Sequence, residues 1–180
     1  FMKPIYLCII LSMILLSFKM PNEVFITVKF DTNPSGREHI RVLNRAYEKE
    51  LIDLINQYRH KHGLNHLKVN SDLMRASRYH AADMAYEDYH EHATFNRTPN
   101  GLIREMNTFQ RISNFYKGFP NAENIAAGYG GPLAVFEAWV RSPGHNKNLL
   151  NENATLMGVG YYQNFNSKFK SYWVFESAAY

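Results

Sequence analysis

Two stretches near the end, Ala154–Tyr162 (ATLMGVGYY) and Ser171–Ala178 (SYWVFESA), decide the fold class. Each is a short run rich in apolar and aromatic residues, and the polar turn QNFNSK at 163–168 separates them, so they read as the two strands of a hairpin. Upstream the period changes. Tyr47, Leu51, Leu54, Ile55 and Tyr58 recur at helical spacing, and Gly63 supplies the left-handed stop. Ser71 is placed to cap a second helix, with Leu73, Ala76, His80 and Met84 on one face and Ser77 and Ala81 as small neighbours. A further helix runs from Pro132 to Arg141, opened by its proline and ended by SPG at 142–144. The polar stretch from His90 to Asn121 contains TPNG and GFPN and holds at most one short helix, around Leu102–Ile112. Helices first and a hairpin last imply an α+β layered domain rather than a parallel βαβ sheet.

The chain of 180 residues is 46% hydrophobic and 20% charged, the composition of one folded domain. Its net charge of +4 comes from 20 Lys and Arg against 16 Asp and Glu. Residues 1–20 hold Lys3 and Lys19 and no acid, so the remainder is close to neutral. No block of bases stands in it, which argues against a nucleic-acid partner.

Residues 1–20 read as a signal peptide or signal anchor: Lys3 precedes the apolar run Ile5–Phe18, shorter than the ~20 residues that span a bilayer. No small-x-small cleavage site follows in SFKMPNEV, which keeps the anchor reading open. Residues 21–40 read as a tether with one short strand, from the alternation of Val24, Ile26, Val28 and Phe30, and residues 41–180 as the domain proper. The expectation is an exported protein, secreted or on a bacterial surface, touching membrane only through an uncleaved N-terminal segment. The single cysteine, Cys8, lies in that segment, so the domain is disulfide-free, which points towards a bacterial source.

Of the eight histidines, His39, His60, His62 and His66 fall at helix ends or connectors and read as solvated. His80 lies on an apolar helix face and reads as a hydrogen-bonded core residue. His92 and His145 sit in turns beside regular elements, where binding residues concentrate, and Glu123 in NAENIA directly precedes an apolar pair. These three are the candidate site residues; the competing reading is that they pin loops.

The segments LIDLINQYRHKHGLNHLKVNSDLMRASRYHAADM, DYHEHA, AENIAAG, AWVRSPGHNKNLLN, MGVGYY and YWVFESA follow one another in the chain. In this order they resemble the CAP superfamily, also called the SCP or sperm-coating-protein domain, in its disulfide-free bacterial form. The resemblance implies a three-layer α-β-α sandwich with a central antiparallel sheet and an open cleft lined by histidines and acids. It places His92, Glu123 and His145 in that cleft. The family's fuller version carries a second glutamate three residues after the tryptophan of the fourth motif, where this chain has Ser142 after Trp139. The remaining motif residues read as structural from their chemistry: Trp139 and Trp173 as packing anchors, Asn148, Asn151 and Asn124 as loop braces, and Gly158 and Gly160 as points of close helix approach.

No cofactor is required on this reading, though Zn²⁺ or another divalent cation suits the imidazoles of His92 and His145 with Glu123 nearby. The expected function is an exported binding protein without catalysis, engaging a lipid or sterol, or a host or envelope macromolecule, through the His/Glu cleft. The alternative is a metal-dependent hydrolase, peptidase or esterase, with His92, Glu123 and His145 catalytic.

Overall fold

Asparagine or proline opens every helix of the described residues. In the computed structural model, which describes Phe30 and residues 33–180, α1 (Arg45–Lys61), α2 (Ser71–Glu87) and α3 (Thr108–Phe115) begin after Asn44, Asn70 and Asn107. Each asparagine side chain accepts a first-turn backbone N–H that the helix itself leaves unpaired. Helices α4 (Pro132–Arg141) and α5 (Pro143–Leu149) start on proline, whose missing N–H costs nothing there. Helix α1 ends at Gly63 with φ +74°: Gly63 N–H donates to the His60 carbonyl and Leu64 N–H to that of Arg59, both at 3.0 Å.

The strands are β1 (Lys68–Val69), β2 (Thr94–Thr98), β3 (Gly101–Met106), β4 (Phe119–Ala127), β5 (Leu156–Gln163) and β6 (Ser171–Ala179). The main sheet runs β1-β5-β6-β4, antiparallel except for the two-residue parallel edge β1; β2 and β3 form a separate hairpin. Central strand β6 is buried on both faces. Trp173 and Phe175 pack with Leu51, Ile55, Val135 and Trp139 of α1 and α4, whereas Tyr172 and Val174 pack with Ala81, Met84 and Ala85 of α2. Alternate side chains thus bury against two helical layers, giving the α-β-α sandwich.

Helix α2 comes down unusually close on β5. A Cβ on Gly158 would stand 2.2 Å from the Leu73 backbone, and one on Gly160 2.3 Å from that of Ser77. Arg78 of α2 also grips Glu48 of α1 through two hydrogen bonds of 2.8 and 2.7 Å.

Four expectations are corrected. The cap of α2 is Asn70, not Ser71, because the asparagine side chain reaches two N–H groups, those of Asp72 and Leu73. The stretch 90–121 holds a hairpin before its helix: TPNG is the hairpin turn, and the Asn107–Gln110 capping box starts α3 six residues later than Leu102. NAENIA lies within strand β4, and SPG ends α4 while opening α5. Residues 33–40, expected as tether, lie against the domain: Asn114 donates to the Pro34 carbonyl at 2.8 Å and Arg75 to that of Gly36 at 2.7 Å. The segment read as a signal peptide or anchor and most of the alternation read as a short strand lie outside the described residues. Phe30 is buried, its ring 5.5 Å from Tyr79 and 4.9 Å from Tyr86.

Because the atoms facing Gly158 and Gly160 are backbone, neither site can yield by turning a side chain. Gly158→Ala should destabilise the domain by about 1–3 kcal/mol or more, measured by urea unfolding. The control Gly144→Ala, with nothing within 4 Å, should change it by less than about 0.5 kcal/mol.

Candidate functional site

The residue that organises the site is Arg111, which the sequence reading passed over. It sits in α3, fully buried, between the ends of β4 and β6 and the segment after α2. Its Nη2 pairs with Glu123 Oε2 and lies 3.7 Å from Glu176 Oε1; its Nη1 donates to the His92 carbonyl at 2.8 Å. Glu123 and Glu176 are direct partners across β4 and β6, and Gly158 of β5 stands on the other side of Glu176. Both carboxylates therefore share the α2-facing side with one guanidinium.

The two acids divide the charge. Burial pushes the Glu123 carboxyl up, but Arg111, His80 and the hydrogen bond from His92 outweigh it and hold it at about 2. Burial pushes Glu176 up to about 8, with Glu123 adding to the rise and Arg111 and the Ser77 hydroxyl opposing it. At neutral pH the cluster holds one guanidinium, one carboxylate and one protonated carboxyl. That is the arrangement expected when two carboxyls share one buried cation.

His92 rests on this base. Its Nδ1 is 2.8 Å from Glu123 Oε1, and since the carboxylate can only accept, Nδ1 carries the proton. Its side chain is 51% exposed while that of Glu123 is 2% exposed, so the imidazole faces solvent over a buried anchor. Thr108 Oγ1 donates to the His92 carbonyl at 3.1 Å, fixing the same peptide that Arg111 holds.

His145 comes from the other helical layer, at the start of α5. Asn124 donates to its carbonyl at 3.0 Å, and Asn148 donates to the Glu123 carbonyl at 3.0 Å and to Asn124 Oδ1 at 2.8 Å. These amides tie α5 to the back of β4, behind Glu123. Burial lowers the His145 pKa, and His92 and His90 lower it further. Trp139 stands behind, 6.5 Å from the His145 ring, its indole N–H donating to the Ile125 carbonyl at 3.3 Å.

Of the remaining histidines, His39, His60, His62 and His66 are exposed. His80 is fully buried, and burial and Arg111 hold it down at about 3; its Nε2–H donates to the Glu91 carbonyl at 3.0 Å. Asp83, whose Oδ2 accepts from the Tyr89 hydroxyl, is pushed by burial up to about 7.

Divalent metal fits poorly here. Both Glu123 oxygens are engaged, one by His92 and one by a guanidinium that repels cations. Among the described residues, no group of three or more His, Cys, Asp or Glu side chains is arranged to hold a metal ion. Two imidazoles fall short of the three protein ligands of a catalytic zinc site. The His92–Glu123 pair does have the form of an oriented general base, with the carboxylate fixing the tautomer. No side-chain hydroxyl or thiol among the described residues is hydrogen-bonded to His92 Nε2.

Missed by sequence reasoning were Arg111 and Glu176. Glu176 left a trace, as a lone acid within the apolar run YWVFESA. Arg111 left little beyond its position directly before buried Ile112.

Helical layers on both faces of a largely antiparallel sheet, with His92 bonded to a buried glutamate of the sheet and the His145 backbone tied to the next residue, Asn124, define a CAP-type domain. Residues 52–177 match the sequence model of CAP, the cysteine-rich secretory protein family, and the chain belongs to that family. YkwD of Bacillus subtilis is 37% identical over 117 residues, covering 64% of this chain and 42% of that protein. The membrane protein YlbC of the same organism is 37% identical over 135 residues, covering 71% of this chain and 36% of that protein. The chain thus spans less than half the length of either relative. An extracellular SCP-domain protein of Bacillus anthracis superposes with a TM-score of 0.62 at 27% identity, over 74% of this chain and 40% of that one. An outer surface protein of Borrelia burgdorferi superposes with a TM-score of 0.64 over 79% of this chain and 98% of that one; at 22% identity it shows the shared fold alone.

Two outcomes test the buried cluster. Arg111→Met should cost about 3–5 kcal/mol in urea unfolding, because it leaves a buried carboxylate without its counter-charge. Glu176 keeps its proton in the folded state above its ordinary 4.5, up to about 8, so its ionisation opposes folding. Its contribution makes the thermal midpoint fall as pH rises through that window, as Asp83 also does up to about 7. Glu176→Gln should therefore show a shallower fall between pH 5 and 8 in a melting series; parallel curves would refute the assignment.

Proposed function

We propose that the chain is an exported, non-catalytic binding protein of a bacterial surface or envelope, whose His92–Glu123–His145 edge contacts a macromolecular ligand. The observation that carries this reading is the state of the site. Glu123 is buried with both oxygens engaged, by Arg111 and His92, while the His92 imidazole is exposed. Such a pair presents one fixed acceptor, His92 Nε2, to a partner surface. Glu123 itself is not free to act as a base or as a metal ligand, as the hydrolase reading with Glu123 catalytic would need.

Export is supported by the apolar N-terminal segment and by relatives described as an extracellular protein and a membrane protein. No helix of the described residues is long and apolar enough to cross a membrane. A host or envelope macromolecule suits the exposed edge better than a lipid or sterol, which needs enclosure in apolar walls.

The test pairs binding with turnover. Purified protein should bind isolated envelope fragments saturably, and a His92→Ala/His145→Ala variant should bind them about tenfold or more weakly, a loss of the size seen when central polar contacts are removed. Fluorescent sterol and fatty acid should give flat titrations. Zn²⁺-dependent peptide or ester hydrolysis that disappears in Glu123→Gln would overturn the reading in favour of a hydrolase.

A further inference from the structure

A second site stands apart from the histidines. A cavity of about 360 Å³ lies between the start of α1, the loop Gly128–Gly130 after β4 and the β5–β6 turn. Its size is within the range of small-ligand pockets. From this cavity we infer a binding site for a neutral saccharide, a pyranose ring seated on tyrosine and phenylalanine faces with its hydroxyls met by side-chain amides.

The lining selects the ligand by chemistry. Five of its twelve residues are aromatic: Tyr47, Tyr129, Tyr161, Phe165 and Phe169. Tyr47 is held as a platform, stacked on Trp173 at 5.7 Å and edge-on to Tyr161 at 5.3 Å. Phe165 stands at the rim, 73% exposed, an apolar ring that the fold itself does not bury. Among the described lining residues there is no carboxylate and one cation, Lys170. An aromatic cage for a quaternary ammonium is therefore disfavoured by the charge, and a sulfate or phosphate group would find a single exposed lysine. Acyl chains and sterols want continuous apolar walls, which Asn44, Gln163 and Ser171 interrupt.

A sugar ring matches what remains. Its C–H faces are apolar and lie flat on aromatic rings, while its equatorial hydroxyls need planar donors and acceptors at the edge. The Asn44 side chain spends its oxygen on the cap of α1, leaving its Nδ2 without a hydrogen bond among the described residues, and the exposed Gln163 amide has none there either. The wall that carries Gln163 and Phe165 is braced: Asn164 Nδ2 donates to the Ala85 carbonyl at 2.9 Å, and Lys168 N–H to Asp88 at 2.7 Å. Lys170 is held at φ +66°, a conformation that costs energy for a residue with a side chain. A site fixed in this way gives up little entropy when it is filled.

The test uses the whole domain and three neutral trisaccharides, of glucose in β and α linkage and of N-acetylglucosamine, followed by calorimetry and amide chemical shifts. At least one should bind saturably below about 10 mM, with shifts centred on Tyr47, Gln163 and Phe165. Phe165→Ala and Gln163→Ala, both exposed and so compatible with folding, should each weaken it about fivefold or more with unchanged melting. His92→Ala should leave it unaltered, which separates this site from the proposed histidine edge. Absence of binding by all three sugars to folded protein, or tighter binding of laurate or choline at the same residues, would overturn the proposal.

Discussion

The Arg111 guanidinium is the constraint from which the site takes its form. A fully buried cation is tolerated only where anions and carbonyls compensate it, and here the compensation comes from three separate pieces of chain. Glu123 arrives on β4, Glu176 on β6, and the His92 carbonyl from the segment after α2. Holding them fixes the end of α3 against the sheet and sets the direction of the His92 backbone. The imidazole is then oriented twice, once through its own peptide and once through Nδ1 to Glu123.

That cluster needs room beneath α2, and the glycines of β5 make it. Gly158 and Glu176 are partners across β5 and β6, as are Gly160 and Val174. Without Cβ atoms on the strand, the α2 backbone settles onto it at Leu73 and Ser77, which brings the Ser77 hydroxyl to 3.2 Å from Glu176. The same helix carries His80 and Asp83 into the interior beside Ala81, Ala82 and Met84. One helix face thus serves both the apolar core and the polar cluster. The requirement for small residues along α2 and β5 and the requirement for buried hydrogen bonds are met by one close contact.

How much of this could be read in the sequence depended on whether a signal was local. The hairpin of β5 and β6, the helix Pro132–Arg141 and the Gly63 stop were legible because periodicity and a backbone-specific residue mark them within a few positions. Strand β4 was not. Its alternation places Glu123 on one face and Asn124 on the other, both buried, and polar residues in buried positions erase the apolar pattern that marks a strand. The β2–β3 hairpin was hidden for the opposite reason, since Leu102 and Ile103 are exposed and bury no face that a pattern could report. Arg111 and Glu176 are 65 residues apart and meet only through the topology β5-β6-β4, so no spacing rule links them. The family resemblance supplied His92, Glu123 and His145 together, and the geometry supplied the reason the glutamate matters, which is its bond to an arginine outside every quoted motif.

The two surfaces of interest are spaced along the same strands. Glu123 at the middle of β4 and Glu176 beside it on β6 underlie the histidine site, and Gly128 and Ser171 line the aromatic cavity at one end. Five residues separate them on each strand, about 17 Å at the rise of an extended chain. Strand β6 is paired on both edges and covered on both faces, so it cannot slide or bend to carry a signal between its ends. The distance between the two surfaces is therefore a fixed property of the fold.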